Sequence, residues 1–461
     1  MPTVLKFGGT SVEDKHAFER VVNIVDRTQN VTNPVVVVSA MSGVTDALLE
    51  SVGCAAADDP DRGKRLLESH LDRHLTVARA LGIEPSYIEP LLESARSEIA
   101  ELLQAISAQT MPRPLLQDLI ASYGERLCSA LLAAALRRRG LPAQLVDARR
   151  CIVTNNEHGH AEPLLSQTEL RTRTVLEPLI AAREIPVLGG FIGSAEDGTT
   201  TTLGRGGSDY TAALVGASLG AREVRIWTDV TGVLTADPRL IKEARTIARL
   251  SYSEAAELAY FGAKVLHPKT IQPAVEHNIP VRICNARAPD ADGTIVCGEA
   301  EISPRTVKAI AHKTGITLVQ ITSARMLGAY GFLLAIFEVF NRHRTSIDIV
   351  TTSEVSVSLS LDDARALPSL LNELKEFGAV RVQEKQAIIC VVGEGLRATS
   401  GIAARIFGCL SDINISLISQ GASSINLTFV VGENDVNEAV ARLHTTFFEN
   451  DVQSDAEAAV A

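Results

Sequence analysis

The chain has 461 residues, which at roughly 150 residues per domain predicts about three globular units and excludes a single small module. Hydrophobic residues make up 46% and charged residues 21%, the balance of a chain with a sizeable core and not of a disordered one. With 44 basic against 55 acidic side chains the net charge is −11, which argues against a general polyanion-binding surface and so against nucleic acid as a partner. An anionic substrate must then be met by a few local basic groups and oriented N–H donors. The seven cysteines are scattered, odd in number and never spaced Cys-x-x-Cys, the pattern of reduced core residues. No charged leader precedes a long apolar stretch, and the most apolar run, Leu127 to Leu136, is about half the roughly 20 residues that cross a bilayer. The expectation is a cytoplasmic protein with no membrane partner.

In chain order, Val4 to Phe7 reads as a strand, Gly8-Gly9-Thr10-Ser11 as a turn, the stretch to about Arg27 as a helix, and Val35 to Val38 as a strand apolar on both faces. This is the βαβ grammar of a parallel sheet. From Asp61 to Arg139 leucines recur at helical spacing (Leu67, Leu71, Leu75, then Leu127, Leu131), which predicts a helical insert. Within it His70 and His74 sit one turn apart, but Glu68, Asp72 and Arg73 around them point to a solvated face and not to a metal site. Strand-like runs return at Ile185 to Leu188, Val224 to Thr228 and Val281 to Cys284, with helices over Asp209 to Leu219 and Ser253 to Phe261. Residues 1–300 thus form one α/β domain. Ser303-Pro304 marks a linker. Beyond it, shifting the chain by 70 positions places Gly331 on Gly401, Ile336 on Ile406, Ser346-Ile347 on Ser416-Leu417 and Val357-Ser358 on Leu427-Thr428 without a gap. Two α+β modules follow, over 315–385 and 386–450, and the acidic, Ala-rich 451–461 is a tail.

Three segments carry chemistry. In Lys6-Phe7-Gly8-Gly9-Thr10-Ser11 a lysine leaves a strand into paired glycines whose N–H groups form an anion nest at a helix start. The spacing is neither that of a P-loop nor that of a dinucleotide fingerprint, so the turn alone is equally compatible with a tight connection and a solvent lysine. A second glycine loop, Gly204-Arg205-Gly206-Gly207-Ser208-Asp209, again opens a helix, and its arginine fork suits a carboxylate or a phosphate. Ser208 and Asp209 sit where a cap would. Thr228-Asp229 and Asp237-Pro238-Arg239 follow a hydrophobic strand, and Phe261 to Pro268 places Lys264 beside a glycine. His158 and His160 lie in a polar loop with no carboxylate–serine pair evident, which argues against a hydrolase triad.

Together these segments resemble the aspartate kinases of the amino-acid-kinase superfamily. The likeness covers nearly the whole chain and is greatest to the monofunctional lysine-sensitive type with paired ACT modules, whose effector loop Ser346-Ile347-Asp348 and Thr351 to Val357 resemble. The resemblance implies an open, largely parallel sheet between helices, with a helical insert and two C-terminal ACT-like α+β modules. It implies transfer of the ATP γ-phosphoryl group to the β-carboxylate of L-aspartate, the entry to lysine, threonine and methionine synthesis, with Mg²⁺ accompanying the nucleotide. It gives Lys6, Gly8, Gly9 and Asp209 to catalysis. Thr45, Glu125, Arg205, Gly206, Gly207 and Ser208 go to aspartate. Lys6, Phe7, Gly8, Gly9, Thr228, Asp229, Leu234, Asp237, Arg239, Lys264 and Val265 go to ATP. The effector, L-lysine foremost, falls to Met326, Ala329, Phe332, Leu333, Ser346, Ile347, Asp348, Ser353 and Glu354; no protein residue is assigned to metal. A homodimer through the ACT modules, or a tetramer, follows from the same likeness. Two departures stand out: Leu234 replaces a tyrosine near the nucleotide, and Ala329 replaces a serine in the effector region. The alternatives are a kinase for another small carboxylate, such as acetylglutamate, and a catalytically silent amino-acid sensor.

Overall fold

The computed structural model describes residues 1–262, 266–298 and 306–449. The Ser303-Pro304 linker, the nucleotide residues Lys264 and Val265, and the tail from Asn450 lie outside the described residues. The chain divides into two compact units, one of Met1–Val233, Ala248–Tyr252 and Leu266–Glu299, the other of Leu234–Ile247, Ser253–Val265 and Ala300–Ala461.

The first unit opens as the sequence predicts: β1 (Thr3–Phe7), a 3-10 turn over Gly9–Val12, α1 (Lys15–Gln29) capped by Asp14, and β2 (Pro34–Val38). Four helices follow: α2 (Val44–Ala56), α3 (Pro60–Ala80), α4 (Pro85–Ser107) and α5 (Arg113–Arg138). After β3 (Ala143–Val146), β4 (Val153–Thr154) and α6 (Leu165–Ala181) come β5 (Ile185–Gly189), β6 (Ile192–Ala195) and β7 (Thr200–Thr202). The unit ends with α7 (Gly207–Leu219), β8 (Glu223–Thr228), β9 (Arg249–Ser251), α9 (Pro268–Glu276), β10 (Val281–Asn285) and β11 (Thr294–Cys297); α8 (Tyr252–Tyr260) falls mostly in the second unit. Eight strands form one sheet in the order β3-β5-β2-β1-β8-β10-β11-β9, parallel except where β10 meets β11. All five residues of β1, of β2 and of β5 are buried. That is why Val35 to Val38 are apolar on both faces, each buried valine contributing roughly 1.5–3 kcal/mol.

Helix α5 is the one described helix long and apolar enough to cross a membrane, but 83% of that stretch is buried inside the unit, so it is a core helix. Helix α3 corrects an expectation. His74 does not face solvent: it is fully buried, its Nδ1 lies 2.9 Å from the His70 carbonyl, and burial pushes its pKa down to about 4, so the ring is neutral. Glu68 and Asp72 are exposed and His70 and Arg73 half-buried, whereas Leu67, Leu71 and His74 share the inward face.

The second unit holds β12 (Ala309–Thr322), α10 (Phe332–Arg342), β13 (Val350–Thr352), β14 (Ser356–Leu361), α11 (Leu367–Leu374), β15 (Ala379–Val392), α12 (Ile402–Gly408), β16 (Ile415–Gln420), β17 (Asn426–Gly432) and α13 (Val436–His444). Its antiparallel sheet runs β13-β14-β12-β15-β17-β16. The internal repeat is visible in detail. Gly331 and Gly401 are the N-caps of α10 and α12 at φ of +76° and +79°, a backbone that glycine adopts at no steric cost. Ile336 and Ile406 are both fully buried, each in its own core cluster. What the repeat does not predict is that β12 and β15 serve both halves: Ile316–Thr322 pairs with Ala379–Gln386, whereas Ala309–Lys313 pairs with Ile388–Val392 across a register shift. A buried ion pair, Lys308 Nζ to Glu254 at 2.9 Å, ties α8 to the start of β12 within this unit.

Candidate active site

The carboxyl ends of β1, β2, β5 and β8 lie side by side, the edge at which open α/β sheets bind ligands. Phe7 pairs with Trp227 across β1 and β8 and stacks on it at 6.1 Å between ring centroids, and the Gly8 N–H donates to the Trp227 carbonyl at 3.2 Å. The glycine turn is thereby pinned to the end of β8. One expectation needs correcting here: the Gly8 amide is already bonded to the Trp227 carbonyl and is no free member of an anion nest. The Phe7 side chain is fully buried.

Lys6, at the end of β1, points into a cavity of about 280 Å³ lined also by Ser39, Thr45, Glu125, Phe191 and Gly204 to Asp209. Its Nζ lies 2.7 Å from Asp209 Oδ1, and both side chains are mostly buried. Gly206, at φ +73°, is the N-cap of α7, so Ser208 and Asp209 stand inside its first turn and not at the cap itself. Their carboxylate and hydroxyl therefore join the positive end of a helix dipole. Thr45 is likewise inside the first turn of α2, whose cap is Gly43.

Glu125 reaches the cavity from the buried middle of α5. Its Oε1 accepts from the Ala40 N–H at 3.1 Å, while Oε2 is buried without a partner among the described residues. Burial pushes its pKa up to about 8 against the opposing pull of the Ala40 N–H and the Lys6 charge. A carboxylate kept in this state lacks a cation. Arg205 is exposed at the cavity and makes no hydrogen bond or ion pair among the described residues, so its fork is open to an incoming anion. The cavity thus offers one unmet negative site, one open guanidinium and a Lys6–Asp209 pair. That is the complement of a small zwitterion with a further anionic group.

Thr228 and Asp229 close β8, with Thr228 Oγ1 donating to Asp229 Oδ1 at 3.1 Å. Leu234, Asp237 and Arg239 belong to the second unit, where Leu234 bridges to Thr246 and Arg239 is tied back to Asp237 at 2.6 Å. This tie holds the Asp237 carboxyl below its usual range. The remaining nucleotide residues, Lys264 and Val265, lie outside the described residues.

All nine effector residues fall in the second unit. Met326 lies in a 3-10 turn, Ala329 follows it, and Phe332 and Leu333 open α10. Ser346, Ile347 and Asp348 lead into β13, while Ser353 and Glu354 make the turn to β14. Asp348 accepts from the Tyr260 hydroxyl and lies 3.6 Å from Lys313 Nζ.

Sequence reasoning missed several lining groups. Ser39 and Phe191 border the cavity, and Phe191 holds φ +66°, a strained value for a bulky residue. Gly190 packs so tightly that a Cβ there would lie 2.7 Å from the Ser208 Cα. The Gly189-Gly190 pair at a strand end was the available signal. His158 has the Asp118 carboxylate as its neighbour, with Oδ2 3.1 Å from its Nδ1.

The amino acid kinase family profile matches residues 1–285, and an ACT domain profile matches residues 389–447. The lysine-sensitive aspartokinase 3 of Escherichia coli is 40% identical over 97% of this chain and 99% of its own. The chloroplastic aspartokinase 2 of Arabidopsis thaliana is 35% identical over 97% of this chain and 84% of its own. Among solved structures, E. coli aspartokinase III in complex with aspartate and ADP (R-state) superposes with a TM-score of 0.81 at 39% identity, covering 97% of this chain and 100% of that one. The same enzyme in complex with lysine and aspartate (T-state) superposes at 0.83, covering 97% and 99%. The chain therefore belongs to the aspartokinases of the amino acid kinase family.

Proposed function

We infer that this protein transfers the γ-phosphoryl group of ATP to the β-carboxylate of L-aspartate, giving 4-phospho-L-aspartate, under feedback by L-lysine at its ACT modules. The observation that carries this reading is the pairing, in one cavity, of the partnerless buried Glu125 Oε2 with the open Arg205 fork. They match the ammonium and the α-carboxylate of one amino acid. The relatives point the same way: E. coli aspartokinase III binds aspartate and ADP in one state and lysine and aspartate in another.

The nucleophile is a carboxylate, already ionised at neutral pH, so the site needs no strong base. Positioning and charge neutralisation supply the rate. Lys6 holds the transferring phosphoryl oxygens, with the Gly9 turn as the close backbone approach. Asp209 orients Lys6 and faces the metal–nucleotide end. Glu125 takes the ammonium, Arg205 the α-carboxylate, and Thr45 and Ser208 add hydroxyl contacts beside the Gly206-Gly207 backbone. Thr228, Asp229, Leu234, Asp237, Arg239, Lys264 and Val265 line the nucleotide. When bound with ATP, Mg²⁺ neutralises phosphate charge. Among the described residues no group of three or more His, Cys, Asp or Glu side chains gathers, and Asp209 stands as a single carboxylate, a donor set that suits an ion held mainly by phosphate and water.

Residues 1–300 serve as the kinase domain, with ACT modules over 315–385 and 386–450. Exposed Leu327, Tyr330, Leu334 and Phe337 on the first module support a homodimer formed there. The reading places the enzyme in the cytoplasm.

The test is an ATP-dependent acyl-phosphate assay with hydroxylamine trapping on aspartate, glutamate and acetylglutamate, with and without lysine. Hydroxamate from aspartate, suppressed by lysine, is expected. Turnover of acetylglutamate but not aspartate would overturn the reading.

A further inference from the structure

Asp118 sits on α5 seven residues before Glu125, on the same buried face, and is 1% exposed. Its carboxylate gathers four donors. Oδ1 accepts from Thr202 Oγ1 at 2.6 Å; Oδ2 accepts from the Thr202 N–H at 3.1 Å and the Gly159 N–H at 2.9 Å, and lies 3.1 Å from His158 Nδ1. These donors come from two separate segments, the loop around residues 155–161 and the end of β7.

Both segments converge on the loop that bears Arg205. Ala161 N–H donates to the Thr202 carbonyl at 2.9 Å, and Leu203 N–H to the Phe191 carbonyl at 2.9 Å. A Cβ on Gly204 would lie 3.6 Å from the Gly159 carbonyl oxygen and from His160 Cβ. Arg205 follows Thr202 by three residues and its side chain makes no hydrogen bond or ion pair among the described residues. Its position is therefore set by its backbone, anchored at one end by α7 and at the other by Thr202. A buried carboxylate satisfied by several N–H and O–H donors is a strong anchor, because removing its charge leaves those donors without an acceptor.

We propose that Asp118 is a positioning residue for substrate recognition: it fixes β7 and the His158–Gly159 loop so that the Arg205 fork meets the carboxylate of the amino-acid substrate. Helix α5 then sets both ends of that substrate, through Glu125 directly and through Asp118 by way of Arg205. The proposal rests on Arg205 binding the substrate carboxylate.

The experiment is steady-state kinetics on Asp118→Asn, Thr202→Val, Arg205→Ala and the Asp118→Asn/Arg205→Ala pair, with thermal unfolding of each. Asp118→Asn keeps the shape but turns an N–H₂ toward N–H donors. It is expected to raise KM for aspartate about tenfold or more, with KM for ATP within about twofold of wild type. Thr202→Val, which removes only the hydroxyl donor, moves the same constant by a smaller factor and covers the case in which Asp118→Asn does not fold. In the Arg205→Ala background, Asp118→Asn adds no further rise, because the two act as one unit. Equal rises in both KM values, or full additivity in the pair, would overturn the proposal. If Arg205→Ala alone leaves KM for aspartate unchanged, the role given to Arg205 fails, and the proposal with it. If Arg205→Ala raises KM while Asp118→Asn and Thr202→Val do not, only the proposal fails.

Discussion

Glu125→Gln separates what the Glu125 carboxylate does for binding from what it costs the empty protein. The amide retains an oxygen for the Ala40 N–H but cannot carry charge. A charge-assisted contact to the substrate ammonium contributes roughly 1.5–3 kcal/mol, so KM for aspartate should rise about 10- to 150-fold. The ordinary carboxyl pKa is 4.5, and burial raises it to about 8 in the empty fold. Between those values the folded protein holds a proton that the unfolded chain has lost. This group's share of stability is therefore complete below pH 4.5 and is lost as pH rises through 8, by up to about 5 kcal/mol. The glutamine variant has no such slope, so without substrate it should be the more heat-stable protein at pH 8 and above, while near pH 4.5 the two converge. Binding follows the same titration: the wild-type KM for aspartate should fall by up to about tenfold per pH unit from pH 6 towards 8, and the variant's should stay flat. Initial-rate kinetics and thermal unfolding across pH read both effects. A variant with wild-type KM and an unchanged pH profile would refute the argument.

Lys6→Ala removes the cation beside Asp209 and should lower kcat by about 10²- to 10³-fold, with a far smaller effect on KM for aspartate, as measured by coupled ADP release. Gly190→Ala inserts a Cβ 2.7 Å from the Ser208 Cα and displaces the first turn of α7; kcat/KM for aspartate should drop roughly a hundredfold, whereas Gly53→Ala, with open space around it and an ordinary helical backbone, should not change it. Asp348→Asn weakens the acceptor shared by Tyr260 and Lys313 and should raise the lysine concentration for half-inhibition at least about tenfold while uninhibited kcat stays near wild type.

Much of this architecture is local and so could be read from the chain. The fully buried β2 shows as four consecutive valines, and the two ACT-like halves repeat glycine, helix and strand at one interval because each builds its own core. Lys6, Arg205 and Asp209 stood out because glycines flank them. Contacts distant in sequence were not legible. Asp118 and Thr202 are 84 residues apart, and nothing in either neighbourhood signals the other. His74 reads as a surface residue from the charges near it in sequence, whereas the i, i+4 and i+7 face formed with Leu67 and Leu71 decides its burial. What occupies the Gly8 amide is the end of β8, a neighbour of β1 that lies far away in sequence. The shared use of β12 and β15 arises from pairing register, which periodicity along a single strand does not encode.

The regiochemistry of transfer tests the central claim most directly. Incubation with ATP and L-aspartate, followed at once by borohydride reduction, converts an acyl phosphate to the corresponding alcohol. Phosphorylation on the β-carboxylate yields homoserine, the product expected when Arg205 and Glu125 hold the α-carboxylate and ammonium away from Lys6. Recovery of the isomer reduced at the α-carboxylate, or of no amino alcohol while ATP is consumed, would contradict it.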